Sequence, residues 1–212
     1  MSAPRSAWLG WLRERWLHQP LPMVVVHQPG TPEVVCAAPS MWMKAREWTL
    51  ALRALGASPG DTVRYVGPPS ADWIAALVAA IRIGGCFLPE EAAGDAGFIL
   101  CSGQPPARRP PPHPEPAPRG IQCVDGFIDE AALLSLGQAS GVTSGELLLC
   151  PTDWARREIF IAGPLAAMVC GAELLVGPLT PAKGWLAQTG SLPDRIIARP
   201  EVAARLFPNQ GG

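Results

Sequence analysis

The stretch that decides the fold reads TVRYVGPPSADWIAALVAAIRIGGCFLP and covers residues 62–89. It opens with β-branched and aromatic residues, which predict a strand. Two prolines end this strand, Ser70 is a helix N-cap residue, and the nearly all-apolar run 71–83 predicts a buried helix. A pair of glycines ends the helix, and residues 86–88 predict a second strand. Strand, helix and strand together predict a βαβ unit with parallel strands.

The same alternation extends outward in both directions. Further strands are predicted at 23–26, 33–36, 98–101, 121–124, 147–150, 173–176 and 195–198. Further helices are predicted at 6–17, at 40–55 with Ser40 as N-cap, and at 128–139, 155–170, 181–188 and 200–206. Such alternation predicts an α/β fold, a three-layer αβα sandwich with a mostly parallel sheet. We expect a single domain over residues 1–212, and we find no internal repeat in the sequence.

One proline-rich segment, residues 104–119, interrupts the alternation. Between positions 105 and 118, 8 of 14 residues are proline. Proline lacks a backbone N–H and has a fixed φ, so we expect this segment to join neither a sheet nor a helix. It is predicted to be an exposed, flexible loop, and its proline spacing also fits an SH3-type ligand.

Composition and charge restrict the possible partners. The formal net charge is −1, and charged residues make up only 17% of the chain. Because this balance creates no strong field and no recognition motif is present, we do not expect nucleic acid to bind. The apolar runs 74–83 and 159–172 are shorter than the roughly 20 residues that span a bilayer, so a membrane role is not expected.

Two further features bear on location and surface. The six cysteines contain no C-x-x-C pair, and most follow apolar, strand-like runs, which predicts buried free thiols and no metal site. Reduced thiols and the lack of a visible secretory signal favour a cytoplasmic location. Trp8, Leu12 and Trp16 form one stripe of the first helix, which predicts a docked amphipathic helix, with a membrane-interface helix as the alternative.

A family resemblance begins near residue 48. Residues 48–63, WTLALRALGASPGDTV, are similar to the pattern A-x-x-L-x-x-L-G-V-x-x-G-D-x-V of the AMP-forming acyl-CoA synthetases. Residues 69–73, PSADW, resemble that family's P-N-S-x-E-W, and residues 76–89, ALVAAIRIGGCFLP, resemble its A-x-L-A-x-x-x-A-G-A-x-x-x-P. The resemblance implies a truncated form of the large domain of these adenylate-forming enzymes.

A second match falls on the family's phosphate loop. Residues 98–103, FILCSG, resemble the opening of I-x-x-T-S-G-T-T-G-x-P-K-G, a loop whose backbone N–H groups, hydroxyls and lysine hold a triphosphate. Ser102 and Gly103 are retained, but Q-P-P replaces T-T-G and removes two N–H donors. The resemblance therefore makes Ser102 and Gly103 the candidate nucleotide-binding residues, as a remnant of that loop. Arg108 or Arg109 would have to replace the lysine.

The later part of the chain resembles the acyl-binding region. Residues 148–154, LLCPTDW, resemble L-x-x-x-P-x-F-H, and residues 164–175, PLAAMVCGAELL, resemble P-L-x-x-G-A-x-x-V. Trp154 falls on the family's histidine beside the acyl pocket. The resemblance therefore makes Trp154 the candidate substrate-binding residue.

Departures from the family pattern shape the expected function. Roughly 80 residues that precede the phosphate loop in the family have no counterpart in this sequence. We also find no counterpart of the Y-G-x-T-E motif, the ribose-binding aspartate or the domain with the catalytic lysine. The chain has only two lysines, Lys44 and Lys183. Adenylation needs strong electrostatic stabilisation, typically from lysine and Mg²⁺. We therefore expect no catalytic residues, and no cofactor unless the degenerate loop still holds ATP and Mg²⁺.

Three functions remain compatible with the sequence. The favoured hypothesis is a degenerate AMP-binding protein, a pseudoenzyme that serves as an accessory subunit binding an acid, an acyl carrier protein or a synthetase. The second is one half of a split AMP-forming acyl- or aryl-acid ligase, active only with another polypeptide. The third is a structural dimerisation module that uses an uncovered sheet edge. Each implies a protein partner or a homo-oligomer.

Overall fold

The computed structural model describes residues 6–18, 22–26, 34–109, 116–177 and 192–206. The helices there are α1 (Ala7–His18), α2 (Ala38–Ala54), α3 (Ala71–Ile83), α4 (Glu130–Gln138), α5 (Arg157–Phe160), α6 (Ala166–Cys170) and α7 (Pro200–Leu206), and a π-helical turn (Ile161–Leu165) joins α5 to α6. The strands there are β1 (Pro22–Val26), β2 (Val34–Ala37), β3 (Thr62–Val66), β4 (Cys86–Pro89), β5 (Phe98–Cys101), β6 (Ala107–Arg108), β7 (Gly120–Cys123), β8 (Gly126–Asp129), β9 (Leu147–Leu149), β10 (Glu173–Val176) and β11 (Arg195–Ile196). The predicted helix 181–188 lies outside the described residues.

The described strands form two mostly parallel sheets, which confirms the α/β fold class. The first sheet has the order β11-β9-β10-β1-β2, and the second has the order β6-β5-β3-β4-β7-β8. The central pairings are parallel, including β3 with β4 and β5, and β9 with β10 and β11. Antiparallel pairing joins the edge strands β2, β6 and β8 to their neighbours.

Helices lie between the two sheets, an arrangement that the single three-layer sandwich expected from the sequence does not include. Helix α3 packs on β3 and β4 of the second sheet, α2 packs on β1 and β2 of the first, and the two helices contact each other. All of α3 except Asp72 and Arg82 is buried. A helix that is apolar all round must be covered on every side, and here the second sheet covers one side of α3 while α2 covers another.

The topology contains an internal repeat that the sequence does not reveal. The order strand, antiparallel strand, helix, strand, helix, strand, strand occurs twice, first from β1 to β5 and again from β7 to β11. In each sheet the three parallel strands of one unit are extended by the two-stranded hairpin of the other unit. The repeat is therefore one of topology, without a matching repeat in the sequence, and the two units are interlocked through exchanged hairpins.

The ends of α3 follow the sequence signals. The Ser70 side chain accepts a hydrogen bond from the Trp73 backbone N–H at 3.3 Å, as an N-cap does. Gly84 then ends the helix with φ of 87°. This left-handed conformation is open to glycine at little steric cost. The βαβ unit is thus defined by local chemistry at both ends of its helix.

Helix α2 begins earlier than predicted. Its N-cap is Ala37, which has no side-chain capping bond, and Pro39 lies in the first turn. The prediction of Ser40 as N-cap is therefore wrong. Proline is compatible with a first helical turn because the N–H that it lacks would have no partner there.

Helix α1 is docked on the core, as the favoured interpretation predicts. The side chains of Trp8, Leu12 and Trp16 are all buried. Trp16 contacts Trp42 of α2 edge-on, with ring centroids 6.3 Å apart. The alternative of a membrane-interface helix would need this stripe to be exposed. Among the described helices, none combines the length and the apolar character that crossing a bilayer requires.

Two local features differ from the helices predicted at 128–139 and 155–170. Residues 126–129 form strand β8, which pairs antiparallel with β7 before α4 begins. The second helix contains Pro164 and widens there into the π-helical turn. Proline in a helix interior removes an N–H and crowds the preceding turn, and a wider turn relieves both effects.

The flanks of the proline-rich segment are part of the fold. Ala107 and Arg108 form β6, which pairs antiparallel with β5, and the Ala117 N–H donates to the Gly60 carbonyl at 2.8 Å. The expectation that the segment takes no part in a sheet is therefore wrong at residues 107–108. Those two residues lie between prolines and keep their own N–H groups. Residues 110–115 lie outside the described part.

Candidate functional site

The candidate site lies where three parallel strands of the second sheet end. The chain leaves β3 through α3 and enters β4 on one side, while β5 pairs with β3 on the other side. Connections that part in opposite directions leave a crevice at the carboxyl ends of the strands, which is where open α/β sheets bind ligands. Ser102 follows β5 directly and stands at this point.

Asp72 connects the polar groups in the crevice. The Ser102 hydroxyl donates to Asp72 Oδ2 at 2.5 Å, and Lys44 Nζ lies 2.5 Å from Asp72 Oδ1. The Lys44 ammonium also lies 5.2 Å from the ring centroid of Trp48. Asp72 belongs to the first turn of α3, where a negative charge is favoured by the helix dipole. The hydroxyl and the ammonium at this point are therefore already engaged by one carboxylate.

A second carboxylate faces the same crevice. Glu90, which follows β4, accepts a hydrogen bond from the Gly67 N–H at 3.0 Å. Tyr65 at the end of β3 shares a hydrogen bond with the Ser70 hydroxyl at 3.3 Å. Burial raises the pKa of the Tyr65 phenol, the bond to Ser70 lowers it, and the charges of Asp72 and Glu90 raise it further. The carboxylates of Asp72 and Glu90 thus both lie near the Tyr65 phenol.

The segment after Ser102 is a hairpin loop between β5 and β6. Gly103 is exposed with φ of 69°, and the Gln104 N–H bonds back to the Cys101 carbonyl at 3.4 Å. Pro105 and Pro106 follow and supply no N–H donor. This loop turns at Gly103, but its proline positions cannot contribute to a backbone cradle for phosphate.

Arg108 and Arg109 do not replace the missing lysine. Arg108 pairs with Phe98 at the amino end of β5, and the Arg109 N–H donates to the Gly97 carbonyl at 2.7 Å. Ser102 lies beyond the opposite end of that strand. Because a strand rises about 3.3 Å per residue, the two arginine backbones lie roughly 13 Å from Ser102 along the sheet. These positions in the hairpin do not support the interpretation that Arg108 or Arg109 stands beside the phosphate-loop remnant.

Arg64 is a structural residue of the site that sequence reasoning missed. Its guanidinium donates to the backbone carbonyls of Pro89, Glu90, Ala92 and Gly94 at 2.6–3.3 Å. These bonds fix the segment after β4 and so position Glu90 at the crevice. A lone arginine within a strand gives no sequence signal for this role, because its acceptors lie 25 to 30 residues away.

Trp154, the predicted substrate-binding residue, lies in the core. Its side chain is 1% exposed, and its indole N–H donates to the Cys150 carbonyl at 2.9 Å. The ring packs edge-on against Trp73, with centroids 5.5 Å apart. Trp73 in turn contacts Phe87 and Phe160. A role in binding a substrate stays a prediction, and it would require this aromatic cluster to open.

The buried cysteines behave as apolar groups. Burial raises the pKa of Cys86 to about 11 and that of Cys123 to about 12, and it also raises the pKa of Cys150. Thiols with raised pKa values are poor nucleophiles and poor metal ligands at neutral pH. Within the described residues, no group of three or more His, Cys, Asp or Glu side chains is placed to hold a metal ion.

Comparison with known proteins agrees with this fold. No protein-family model matches the chain. The N-terminal domain of FACL13 from Mycobacterium tuberculosis superposes with a TM-score of 0.64 at 16% identity, over 85% of this chain and 59% of that one. The fatty acyl-adenylate ligase from Legionella pneumophila gives 0.66 at 14% identity, over 86% and 42%. The Klebsiella oxytoca NpsA N-terminal subdomain gives 0.60 at 14%, over 87% and 56%.

A sequence relative covers only part of the chain. Phenyloxazoline synthase MbtB from Mycolicibacterium paratuberculosis (strain ATCC BAA-968 / K-10) is 36% identical over 85 residues, which are 36% of this chain and 7% of that protein. The chain thus spans less than two thirds of each of these proteins. The structural likeness shows that this chain has the fold of the N-terminal domains of adenylate-forming ligases, which confirms the fold implied by the resemblance.

Proposed function

We propose that this chain is a non-catalytic relative of the adenylate-forming ligases and acts as an accessory, partner-binding protein. The observation that carries the proposal is the position of the cations around the phosphate-loop remnant. Arg108 and Arg109 lie at the amino end of β5, while Lys44 is paired with Asp72 at the carboxyl end. A triphosphate would have to displace Asp72 from both Ser102 and Lys44.

The loss of anion-binding groups around the loop favours this proposal over ATP-dependent catalysis by this chain. The prolines of the hairpin loop remove backbone donors, and two carboxylates stand in the crevice. Removing one donor from a preorganised anion site commonly reduces a rate by about 10²–10³-fold, and here several changes coincide. The buried position of Trp154 gives no open apolar pocket at the residue that the resemblance assigned to the acid.

Calorimetric titration of the chain with ATP and Mg²⁺ tests the proposal. We expect no saturable heat and no pyrophosphate release above buffer in the presence of fatty or aryl acids. The fatty acyl-adenylate ligase of Legionella pneumophila serves as the positive control under the same conditions. The amide NMR signals of Ser102 and Gly103 should also stay in place when ATP is added. Saturable ATP binding that shifts these two signals would show that the loop still works and would refute the proposal.

A further inference from the structure

Four arginines from three helices lie close to one another on the side of the molecule where α1, α2 and α3 meet. We call Arg13, Arg46, Arg53 and Arg82 the arginine face. The Arg82 guanidinium carbon lies 4.6 Å from the ring centroid of Trp42. Arg53 donates to the Arg82 carbonyl at 3.4 Å. Burial lowers the pKa of Arg82, and the positive charges of Arg53, Arg46 and Arg13 lower it further.

The arginine face has no carboxylate partner in the described part of the chain. The ion pairs found there join His18 to Glu14, Lys44 to Asp72, Arg195 to Glu146 and Arg199 to Asp153, and none includes an arginine of this face. Arg82 Nε is buried without a hydrogen-bond partner. Like charges held together without a counterion repel one another. An external anion would therefore gain free energy by binding here.

Exposed apolar side chains accompany these charges. On α2, Met43 is 47% exposed and Leu50 is 58% exposed, and Leu17 of α1 is 44% exposed. Positions 43, 46, 50 and 53 follow the spacing of a single helix face, so apolar and basic side chains alternate along it. Glu47 lies about 100° around the helix from Arg46 and borders this stripe on its Met43 side.

We propose that the arginine face is the docking site for an acidic amphipathic helix of another protein. The planar guanidinium pairs with a carboxylate through two parallel hydrogen bonds, and the leucine and methionine side chains match the apolar side of such a helix. Nucleic acid fits less well, because the exposed residues of this face include no aromatic ring on which bases stack.

This inference rests on the proposed accessory role, since it names the chemistry of the partner that such a role requires. It does not rest on the crevice at Asp72, because the arginine face is built from other residues. ATP binding and helix docking can therefore be measured separately, and either can fail alone.

The test uses the full chain and a dye-labelled synthetic peptide. The peptide has about 16 residues, which is long enough to be partly helical alone. Its Leu residues follow i, i+3 and i+4 spacing, and Glu residues flank them. Fluorescence anisotropy is expected to show saturable binding that weakens as salt rises from roughly 0.05 M to 0.3 M.

The double variant Arg46→Gln and Arg53→Gln should bind about tenfold more weakly or worse, and Leu50→Ser should also weaken binding. The control Arg205→Gln, at an exposed position of α7, should bind like the unmodified chain. A peptide with Gln in place of Glu should not bind.

Several results would overturn the inference. One is equal peptide binding by the double variant, with circular dichroism showing that the variant is folded. Another is binding of duplex DNA or phosphatidylglycerol vesicles that needs Arg46 and Arg53 while the acidic peptide does not bind. A third is sedimentation showing a dimer that the double variant abolishes, since the face would then bind a second copy of this chain. ATP binding measured on the same samples would count against the proposed function only.

Discussion

Single side chains in the crevice are satisfied by partners within the chain. Ser102 and Lys44 both bond to Asp72, and Arg64 bonds to four carbonyls from the end of β4 to Gly94. A ligand that used Ser102 or Lys44 would first have to break these contacts. Breaking one hydrogen bond to a charged group costs about 1.5–3 kcal/mol. The Asp72 carboxylate thus engages both groups that could bind an anion here.

Two glycines differ sharply in the room around them and give the first prediction. A Cβ at Gly85 would lie 2.2 Å from the Asp61 carbonyl oxygen, the atom that accepts the Cys86 N–H as β4 begins. We expect Gly85→Ala to lower the free energy of unfolding by about 2 kcal/mol or more, because backbone atoms must move apart. Gly10 of α1 has nothing within 4 Å of such a Cβ. Gly10→Ala should therefore raise the free energy of unfolding by roughly 0.5–1 kcal/mol.

Urea denaturation followed by tryptophan fluorescence measures both variants. Because the two substitutions are chemically identical, the opposite signs isolate the effect of the close approach at Gly85. Equal stability of the two variants would show that the start of β4 can shift freely. The close approach of Gly85 to the Asp61 carbonyl would then not restrict the backbone.

At the scale of elements, local chemistry explains which predictions succeed. The strand over residues 62–66 and the helix over 71–83 were predictable because prolines, an N-cap serine and a glycine stop mark their ends. Strand β8 was missed because its four residues, GFID, include glycine and aspartate and precede a helix directly. Its conformation depends on pairing with β7, which a local pattern does not record.

The two serines proposed as N-caps give the second prediction. Ser70 accepts from the Trp73 N–H, whereas Ser40 lies within the first turn of α2 and is exposed. We expect Ser70→Ala to lower the free energy of unfolding by about 1 kcal/mol, since an N–H at the start of α3 loses its partner. Ser40→Ala should change it by less than about 0.5 kcal/mol. Thermal unfolding by circular dichroism compares the pair, and a larger loss for Ser40→Ala would contradict the observed start of α2.

At the scale of the whole molecule, the arrangement of the two sheets was not predictable from the sequence. Local patterns give the elements but not which strands pair, and the exchange of hairpins joins residues far apart in the chain, such as Val24 and Leu174. The same limit applies to the site. Ser102 was identified from its motif, but its bond to Asp72 spans 30 residues and depends on the β3–β5 pairing. The arginine face likewise draws on three separate helices.

The interlocked repeat gives the last prediction, which concerns cooperativity. If the chain is divided between residues 112 and 113, the first fragment keeps β3, β4, β5 and β6, but its β1–β2 hairpin loses β10 and its β4 loses β7. An isolated hairpin is marginally stable in water, and an unpaired strand edge promotes aggregation. We therefore expect each fragment alone to be unfolded or insoluble, and the two co-expressed fragments to purify as a 1:1 complex through a tag on either one.

Sedimentation and circular dichroism of the complex should match those of the intact chain, because every described strand pairing is retained across the cut. Unfolding in urea should show one transition for the intact chain, since each sheet contains strands from both units. Cooperative unfolding of fragment 1–112 by itself would mean that the first unit folds without the hairpin exchange. In that case the two units would be independent domains, and the shared core between the sheets would not determine stability.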